Sequence, residues 1–505
     1  MTSERKFTLR QCLPLCLPAL ILGAVLRLCL LAAEPEGFYG SDSPSYFEAA
    51  AKVWSRNHGN MLFTEKRRWL YPLLLVPLPI LPAGPARTIP LFQHLLGLAT
   101  LFGIGWIAGN LTRLRSLWVP VVTVLAAISP KILWYEQEVV SEPVFLAAFV
   151  LTVALAMPPG ALKDRKRLFW FLLAAAAVAA TKPHGRGVWL GCVLCAIPLA
   201  GNPLKWGGKC WGALAAAALI MSTSGEKQQA DWLLLSSTLP LVNLEAPALK
   251  PYRDAIRPLV LDARRQLDQF PWNEAKYKKA LGDADPSKID PVWASLASRE
   301  KEFSMVCLAL ARGAIWEHPF WFARFTFTKI GISFADRGHY IERMDPQEFW
   351  KDQDRENSDN WSDHRRQLQL FYNIEEPQYA KLSAERRRRR NAALPFLSAV
   401  ARRMVWMRDN QDPVTGKHWL TPCWPGVLAL LGFLTCLAPG RFVRRAVLWL
   451  PASLCLISVH AIGDHNVQYV ETVEWLGFLL IAVLLDAVVH RGLLLMNRVP
   501  REQTP

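Results

Sequence analysis

The stretch CLPLCLPALILGAVLRLCLLAA (residues 12–33) decides the class of fold, because only one arginine interrupts an otherwise apolar run. As an α-helix it would be about 33 Å long, enough to cross a hydrocarbon core of about 30 Å. The run lacks a convincing small-residue cleavage site, so we expect it to be retained as a span and not removed as a signal peptide. The sequence therefore predicts an integral membrane protein.

Similar apolar runs recur along the chain, and short basic loops separate them. We predict an all-α integral membrane protein with about ten spans and room for up to thirteen. The basic loops then fall on one side of the membrane, and such loops stay in the cytoplasm. We therefore expect a multi-pass protein of the cytoplasmic (inner) membrane with both termini in the cytoplasm. The predicted spans lie near 12–32, 89–110, 117–133, 143–158, 168–181, 187–201, 206–222, 418–437, 446–461 and 470–489.

The distribution of charge divides the chain into three parts. The 505 residues are 52% hydrophobic and carry a formal charge of +16, yet 27 of the 42 acidic residues fall between positions 223 and 417. A water-facing insert explains that concentration. We predict an N-terminal transmembrane module (1–222) with an external loop (33–88), an extracytoplasmic and mostly helical insert (223–417), and a C-terminal transmembrane module (418–505).

The segment GFYGSDSPSYFEAA (37–50) follows the first span and would lie on the external face. Asp42 can cap a helix there, because Pro44 suits a first turn and Tyr46, Ala49 and Ala50 follow at helical spacing. An aspartate at such a position is most simply an N-cap. Its place at the membrane surface, among other polar clusters, makes Asp42 a candidate functional residue as well.

Three other polar clusters fall on the same predicted face. TEKRRWLYP (64–72) is basic, SPKILWYEQEVVSEPVF (129–145) is acidic, and TKPHGRG (181–187) is basic again. Each has an ordinary explanation as a solvated loop or helix end. Ionisable groups at membrane depth are costly, however, and are mostly kept for function. Carboxylates and cations on one face favour transfer chemistry on a lipid phosphate.

The order of these features resembles that of the GT-C membrane glycosyltransferases, especially the branch with protein O-mannosyltransferases and the lipid A aminoarabinose transferase. The matching features are Asp42, Tyr46 and Ala50 in an Asp–x–x–x–Tyr–x–x–x–Ala pattern, RRWLYPLLL (67–75), Ser129-Pro130 with Ser141-Glu142, TKP (181–183), and Gln468-Tyr469. Three residues depart from the pattern: Ser43, where many relatives have Glu; Lys182, where Arg is common; and Gln468, which lacks the charge that is usual before the tyrosine. The resemblance covers residues 10–222, and 418–490 more loosely.

The resemblance implies a GT-C-like helical bundle that moves a sugar from a polyprenyl-phosphate-linked donor to a lipid, glycan or protein acceptor outside the cytoplasm. Asp42 would act as the general base of a single inverting displacement, and cations would hold the lipid phosphate. Three glutamates in the 136–142 loop leave a metal site open, but the resemblance implies neither a metal nor a cofactor. The residues expected to bind substrate are Tyr46, Arg67, Arg68, Tyr71, Glu138, Glu142, Lys182, His184, Arg186 and Tyr469.

Two segments of the insert indicate membrane lipids as partners. Five arginines in a row (386–390) would attract anionic head groups, and their external location argues against a nucleic-acid partner. The aromatic segment HPFWFARFTFTKIGISF (318–334) suits either the bilayer surface or the interior of the insert.

Two other classes of function stay open at this point. A transporter or lipid flippase also places polar groups inside a bundle, although the sequence shows no inverted halves. An oligosaccharide ligase or polymerase acts on lipid-linked glycans but usually relies on Arg and His, and His184 and Arg186 keep that alternative open.

Overall fold

The computed structural model is helical wherever it describes regular structure. This result confirms the prediction of an all-α chain for the residues that the structure describes. Those residues are 7–33, 35–37, 43–54, 68–77, 84–222, 227–266, 292, 295–296, 299–335, 385, 388, 442–462 and 467–496.

Helices follow one another closely along the described chain. The first ten are α1 (Leu9–Ala33), α2 (Ser43–Trp54), α3 (Leu70–Leu75), α4 (Gly84–Leu111), α5 (Arg115–Ala127), α6 (Pro130–Gln137), α7 (Glu142–Ala156), α8 (Arg165–Thr181), α9 (Gly185–Ala200) and α10 (Gly208–Ser222). The later ones are α11 (Lys227–Thr238), α12 (Arg253–Arg265), α13 (Glu300–Glu317), α14 (Pro319–Ala335), α15 (Phe442–Ile462) and α16 (Val467–Met496).

The chain divides into two compact units. The first comprises Met1–Thr223, Arg337–Leu454 and Glu471–Pro505, and the second comprises Ser224–Asp336 and Cys455–Val470. The module boundaries expected from the sequence, at 222 and 417, stay a prediction.

Three helices of the described chain are long and apolar enough to cross a membrane, judged by length and composition. They are Leu9–Ala32, Gly84–Leu111 and Trp475–Gly492. Other apolar helices are shorter; α7, for example, has 15 residues and a length of about 22 Å. The predicted span 418–437 lies outside the described residues. The total number of spans therefore stays a prediction.

The predicted span 117–133 is wrong, because the chain breaks there into two helices. Helix α5 ends at Ala127, and Ser129 is extended, with φ −60° and ψ 116°. Pro130 then begins α6. A proline disfavours helical geometry in the residue before it and suits the first turn of a new helix. The continuous apolar run concealed this break.

Packing in the first unit centres on α4 and α8. Helices α1, α4 and α5 contact one another, α7 packs against both α4 and α8, and α8 also contacts α9 and α10. At the end of this bundle where α4 begins, an apolar cluster joins α2, α3, α4 and the start of α7. Its core includes Tyr46, Phe47, Tyr71, Ile89 and Val144.

The last helix is joined to the turn between α4 and α5. The buried carboxylate of Asp486 accepts hydrogen bonds from the backbone N–H groups of Arg113 and Leu114, each at 2.9 Å. On the same helix the Trp475 ring packs edge-on against Phe149, with 5.6 Å between the ring centroids. Leu114 immediately precedes α5, so Asp486 satisfies backbone donors that a helix start leaves without partners.

The second unit contains α11 to α14 and has a core of its own. Leu235, Ile256, Val260, Cys307 and Phe325 are among its buried residues. Helices α12 and α13 lie in the part of the chain for which the sequence predicts a mostly helical insert. The aromatic segment forms α14 and has two apolar faces. Phe325 lies in the core, while Phe320 and Phe327 are 89% and 61% exposed.

Candidate functional site

The loop between α6 and α7 is held against α2 by side-chain hydrogen bonds. Ser43 Oγ donates to the carbonyl of Val139 at 3.0 Å, and the Tyr46 hydroxyl lies 2.8 Å from Ser141 Oγ. The side chains of Ser43, Tyr46 and Ser141 are all buried, and buried polar groups are generally hydrogen-bonded. Helix α2 therefore fixes the segment that leads into Glu142. In the sequence, α2 begins one residue after Asp42.

A glutamine in α4 holds the other side of that loop. Gln93 Nε2 lies within hydrogen-bond distance of three carbonyl oxygens, those of Tyr135 (3.2 Å), Glu136 (3.0 Å) and Glu138 (2.7 Å). Its Oε1 accepts from the Tyr71 hydroxyl at 2.7 Å. The last carbonyls of α6 lack helical partners, so one buried amide supplies what the helix end needs.

Tyr71 lies at the centre of this arrangement. Its ring meets that of Tyr46 edge-on, with 5.0 Å between centroids. Burial raises the pKa of Tyr71 well above its usual value, and the neighbouring Tyr46, Glu142 and Glu138 raise this pKa further. The phenol therefore stays neutral and donates its hydrogen bond. The same result places two of the candidate carboxylates close enough to act on Tyr71 electrostatically.

An ion pair joins Glu142 to Lys182. Glu142 occupies the first turn of α7, and Lys182 directly follows the last residue of α8. Lys182 Nζ donates to Glu142 Oε1, and both side chains are about nine-tenths buried or more. Glu142 Oε2 has no hydrogen-bond partner within the described part of the chain. Two of the residues expected from the sequence to bind substrate therefore contact each other directly.

The other candidates occupy less closely linked positions. His184 follows Lys182 in the same turn, is buried, and lies 5.0 Å from the Phe145 ring, centroid to centroid. Arg186 is half-buried in the first turn of α9. Arg68 is buried just before α3, and Glu138 accepts from Trp134 Nε1 at 3.0 Å.

Three candidates cannot be placed by their side chains. Asp42 and Arg67 lie outside the described residues, and so do four of the five arginines at 386–390. Tyr469 belongs to α16, but its side chain is not among those described. The structure thus brings together Tyr46, Tyr71, Glu138, Glu142 and Lys182. The roles of all ten binding candidates and of Asp42 stay predictions.

Sequence reasoning did not identify a buried polar network directly behind this site. Glu136 Oε1 accepts from Arg27 Nη2 at 2.6 Å, and Glu136 Oε2 lies 2.7 Å from His94 Nδ1. All three residues are 2% exposed or less. Gln137 Nε2 donates to the Glu36 carbonyl. The Oε1 atom of Gln137 therefore faces His94 Nε2, which lies 2.9 Å away. Because an amide oxygen can only accept, that nitrogen carries a hydrogen.

Gly97 makes room for this network in α4. A Cβ atom at position 97 would lie 1.9 Å from Glu136 Oε1, far inside contact distance. A signal for the network was present in the sequence. Arg27, Gln93 and His94 interrupt apolar runs, and such interruptions usually mark a paired or functional group. Their partners in α6 could not be read from that pattern, since Arg27 and Glu136 are 109 positions apart.

Within the described ranges, no three His, Cys, Asp or Glu side chains lie close enough together to hold a metal ion. The arrangement instead offers a buried cation, two carboxylates and two phenols at one end of a helical bundle. Such a set can bind an anionic group and a hydroxylated partner side by side.

Comparisons with known proteins add little to this picture. No protein-family model matches the sequence, and no curated protein matches it. Among solved structures, the chain is similar to the crystal structure of ArnT from Cupriavidus metallidurans bound to undecaprenyl phosphate, at 14% sequence identity and a TM-score of 0.28. That alignment covers 94% of this chain and 78% of the other. At so low a TM-score the likeness carries no argument about fold or function.

Proposed function

We propose that the chain is a membrane glycosyltransferase that moves a sugar from a polyprenyl-phosphate-linked donor to an acceptor on the extracytoplasmic face. The observation that carries this proposal is the buried Glu142–Lys182 ion pair, which lies beside Tyr46 and Tyr71. Ionisable groups at membrane depth are costly and are mostly kept for function, so a buried ion pair at the end of a bundle favours a site for a charged substrate group.

The proposed reaction is a single displacement at the anomeric carbon of the sugar. Asp42 takes the proton of an acceptor hydroxyl or amine, and the acceptor atom forms its bond to the anomeric carbon. The bond from that carbon to the phosphate oxygen breaks at the same time, and its electron pair leaves with the lipid phosphate. Attack from the opposite side inverts the configuration of the sugar. Lys182 stabilises the charge that develops on the phosphate.

Glu142 serves both partners of the reaction in this scheme. Its Oε1 holds Lys182, so the ammonium is positioned before the donor arrives. Its Oε2, which lacks a hydrogen-bond partner among the described residues, accepts from a hydroxyl of the acceptor. A buried carboxylate oxygen without a partner costs free energy, and a bound hydroxyl removes that cost.

The test measures sugar transfer from a set of polyprenyl-phosphate sugars by the purified full chain in lipid vesicles. Wild type is compared with Asp42→Asn and with Asp254→Asn, which alters an exposed aspartate in the first turn of α12. We expect transfer by wild type and Asp254→Asn, and none by Asp42→Asn. Transfer that survives in Asp42→Asn but is lost in His184→Gln would replace the proposal with the ligase reading. Movement of the donor lipid between leaflets without transfer would replace it with the flippase reading.

A further inference from the structure

A long apolar groove of about 1250 Å³ lies between α4 and α7. From Phe92 to Asn110 its lining covers 18 helical steps of α4, or about 27 Å, close to the thickness of a hydrocarbon core. Small side chains, among them Ala99, Gly103 and Ala154, leave this space open. Its shape suits an extended hydrocarbon chain better than a compact polar solute.

One end of the groove is basic. Arg10 from the first turn of α1 and Arg167 from the first turn of α8 both line it, and Asn110 adds an amide. Asp164 also lines this end. Its carboxylate caps α8, where Oδ1 accepts from the backbone N–H of Lys166 at 3.0 Å, so the helix start offsets its charge. The other end, near Leu74 and Val144, is apolar.

The segment that carries Arg10 is docked firmly on α4. Phe7 is buried, and its ring occupies a notch above Gly109, where a Cβ atom would lie 2.0 Å from the ring. The Trp106 ring centroid lies 5.6 Å from that of Phe7, and the Arg115 guanidinium lies 5.1 Å from the Phe7 centroid. Arg10 follows within one helical turn, so packing fixes the backbone position from which its exposed side chain lines the groove.

We propose that this groove binds an anionic phospholipid, with the phosphodiester between Arg10 and Arg167 and an acyl chain along α4 and α7. Guanidinium groups present forked donors that match phosphate oxygens. Basic pockets between transmembrane helices bind anionic head groups in this way. The predicted orientation places this end in the cytoplasmic leaflet, away from Glu142 and Lys182. The bound lipid is therefore distinct from the donor of the proposed reaction.

The test uses the full chain purified from nanodiscs that contain equal amounts of phosphatidylglycerol and phosphatidylcholine. Native mass spectrometry counts the lipids that stay bound. The variant Arg10→Gln/Arg167→Gln is compared with Lys205→Gln/Lys209→Gln, which removes the same charge from exposed residues that the charge pattern puts on the same side but that do not line the groove. We expect wild type to retain phosphatidylglycerol selectively. The arginine variant should retain about 30-fold less phosphatidylglycerol than wild type, because two basic contacts are lost. The lysine variant should retain as much as wild type.

A second variant tests the groove without altering charge. Ala154→Phe fills the apolar part of the groove and is expected to lower phosphatidylglycerol retention while Arg10 and Arg167 stay in place. The proposal is overturned if both double variants lose lipid equally, since net charge alone would then explain binding. It is also overturned if the arginine variant retains phosphatidylglycerol, or if wild type retains phosphatidylcholine equally well. Thermal unfolding of each variant confirms that the compared proteins are folded.

Discussion

Glu142 and Lys182 join the start of α7 to the end of α8 by a buried ion pair. Helices α7 and α8 pack against each other. The Glu142 carboxylate lies at the N-terminus of α7, and the Lys182 ammonium lies beside the C-terminus of α8. Each charge therefore has the sign that its helix dipole favours. The pair is both a structural link and the charged centre of the candidate site.

Removal of one partner of this pair should destabilise the protein strongly. Lys182→Met leaves the Glu142 carboxylate buried without a cation, which typically costs about 3–5 kcal/mol. The double variant Lys182→Met/Glu142→Leu should recover most of that loss, since no buried charge is left. Denaturant unfolding in detergent measures both. The control is the pair of Asp262 and Arg265, whose side chains are 28% and 77% exposed, and its removal should cost less than about 1 kcal/mol. Equal stability of the single and double variants would contradict this account.

Gly97→Ala should displace Glu136 from Arg27 and His94. The added methyl group would overlap Glu136 Oε1, and the carboxylate cannot move without loss of its bonds to Arg27 and His94. We expect destabilisation of about 3 kcal/mol or more, although alanine is the better helix former by about 1 kcal/mol. Thermal unfolding is the measurement. Gly212→Ala in α10 is matched, because its Cβ would meet nothing within 4 Å, and it should be neutral or slightly stabilising. Similar effects of the two changes would refute the steric argument.

Tyr71→Phe should change how stability depends on alkaline pH. Burial raises the pKa of Tyr71 above its usual value of 10.0, so the unfolded chain ionises before the folded protein does. The contribution of the neutral Tyr71 phenol to the free energy of unfolding is fully present below about pH 10 and is lost as the pH rises further. At pH 8 wild type should be more stable than Tyr71→Phe by about 1 kcal/mol, because the variant lacks the hydrogen bond to Gln93. Melting temperatures from pH 8 to 11 should show this gap narrow; a constant gap would speak against a buried phenol.

Asp486→Ala should loosen the last helix from the α4–α5 turn. The change leaves the N–H groups of Arg113 and Leu114 without their acceptor, at a cost of about 1–3 kcal/mol for each group that stays buried. A fall in melting temperature is the expected result. Val488→Ala on the same helix removes an exposed side chain and serves as the control, with little effect expected. If Asp486→Ala melted like this control, the contact would not matter for stability.

Apolar runs in the sequence predicted most helices, because each run must bury or face lipid along its whole length. They did not predict the break before Pro130, because the stretch 117–133 is apolar overall despite Ser129, Pro130 and Lys131 within it. The candidate site could be predicted in part. Glu142 and Lys182 belong to polar clusters that the sequence predicts on one face, and both are among the residues expected to bind substrate. The role of Gln93 could not be foreseen, because it depends on three carbonyl groups that carry no side-chain signal.

The hydrogen bond from the Arg113 N–H to Asp486 joins positions that are 373 residues apart. A ribosome that adds roughly 5–20 residues per second needs about 20–75 s to make the intervening chain. Throughout that time the start of α5 has no carboxylate from α16 to satisfy it. The N-terminal helices therefore insert and pack before this support exists. Synthesis of α16, and not insertion of the first helices, is the step that allows the α4–α5 turn to reach its final form.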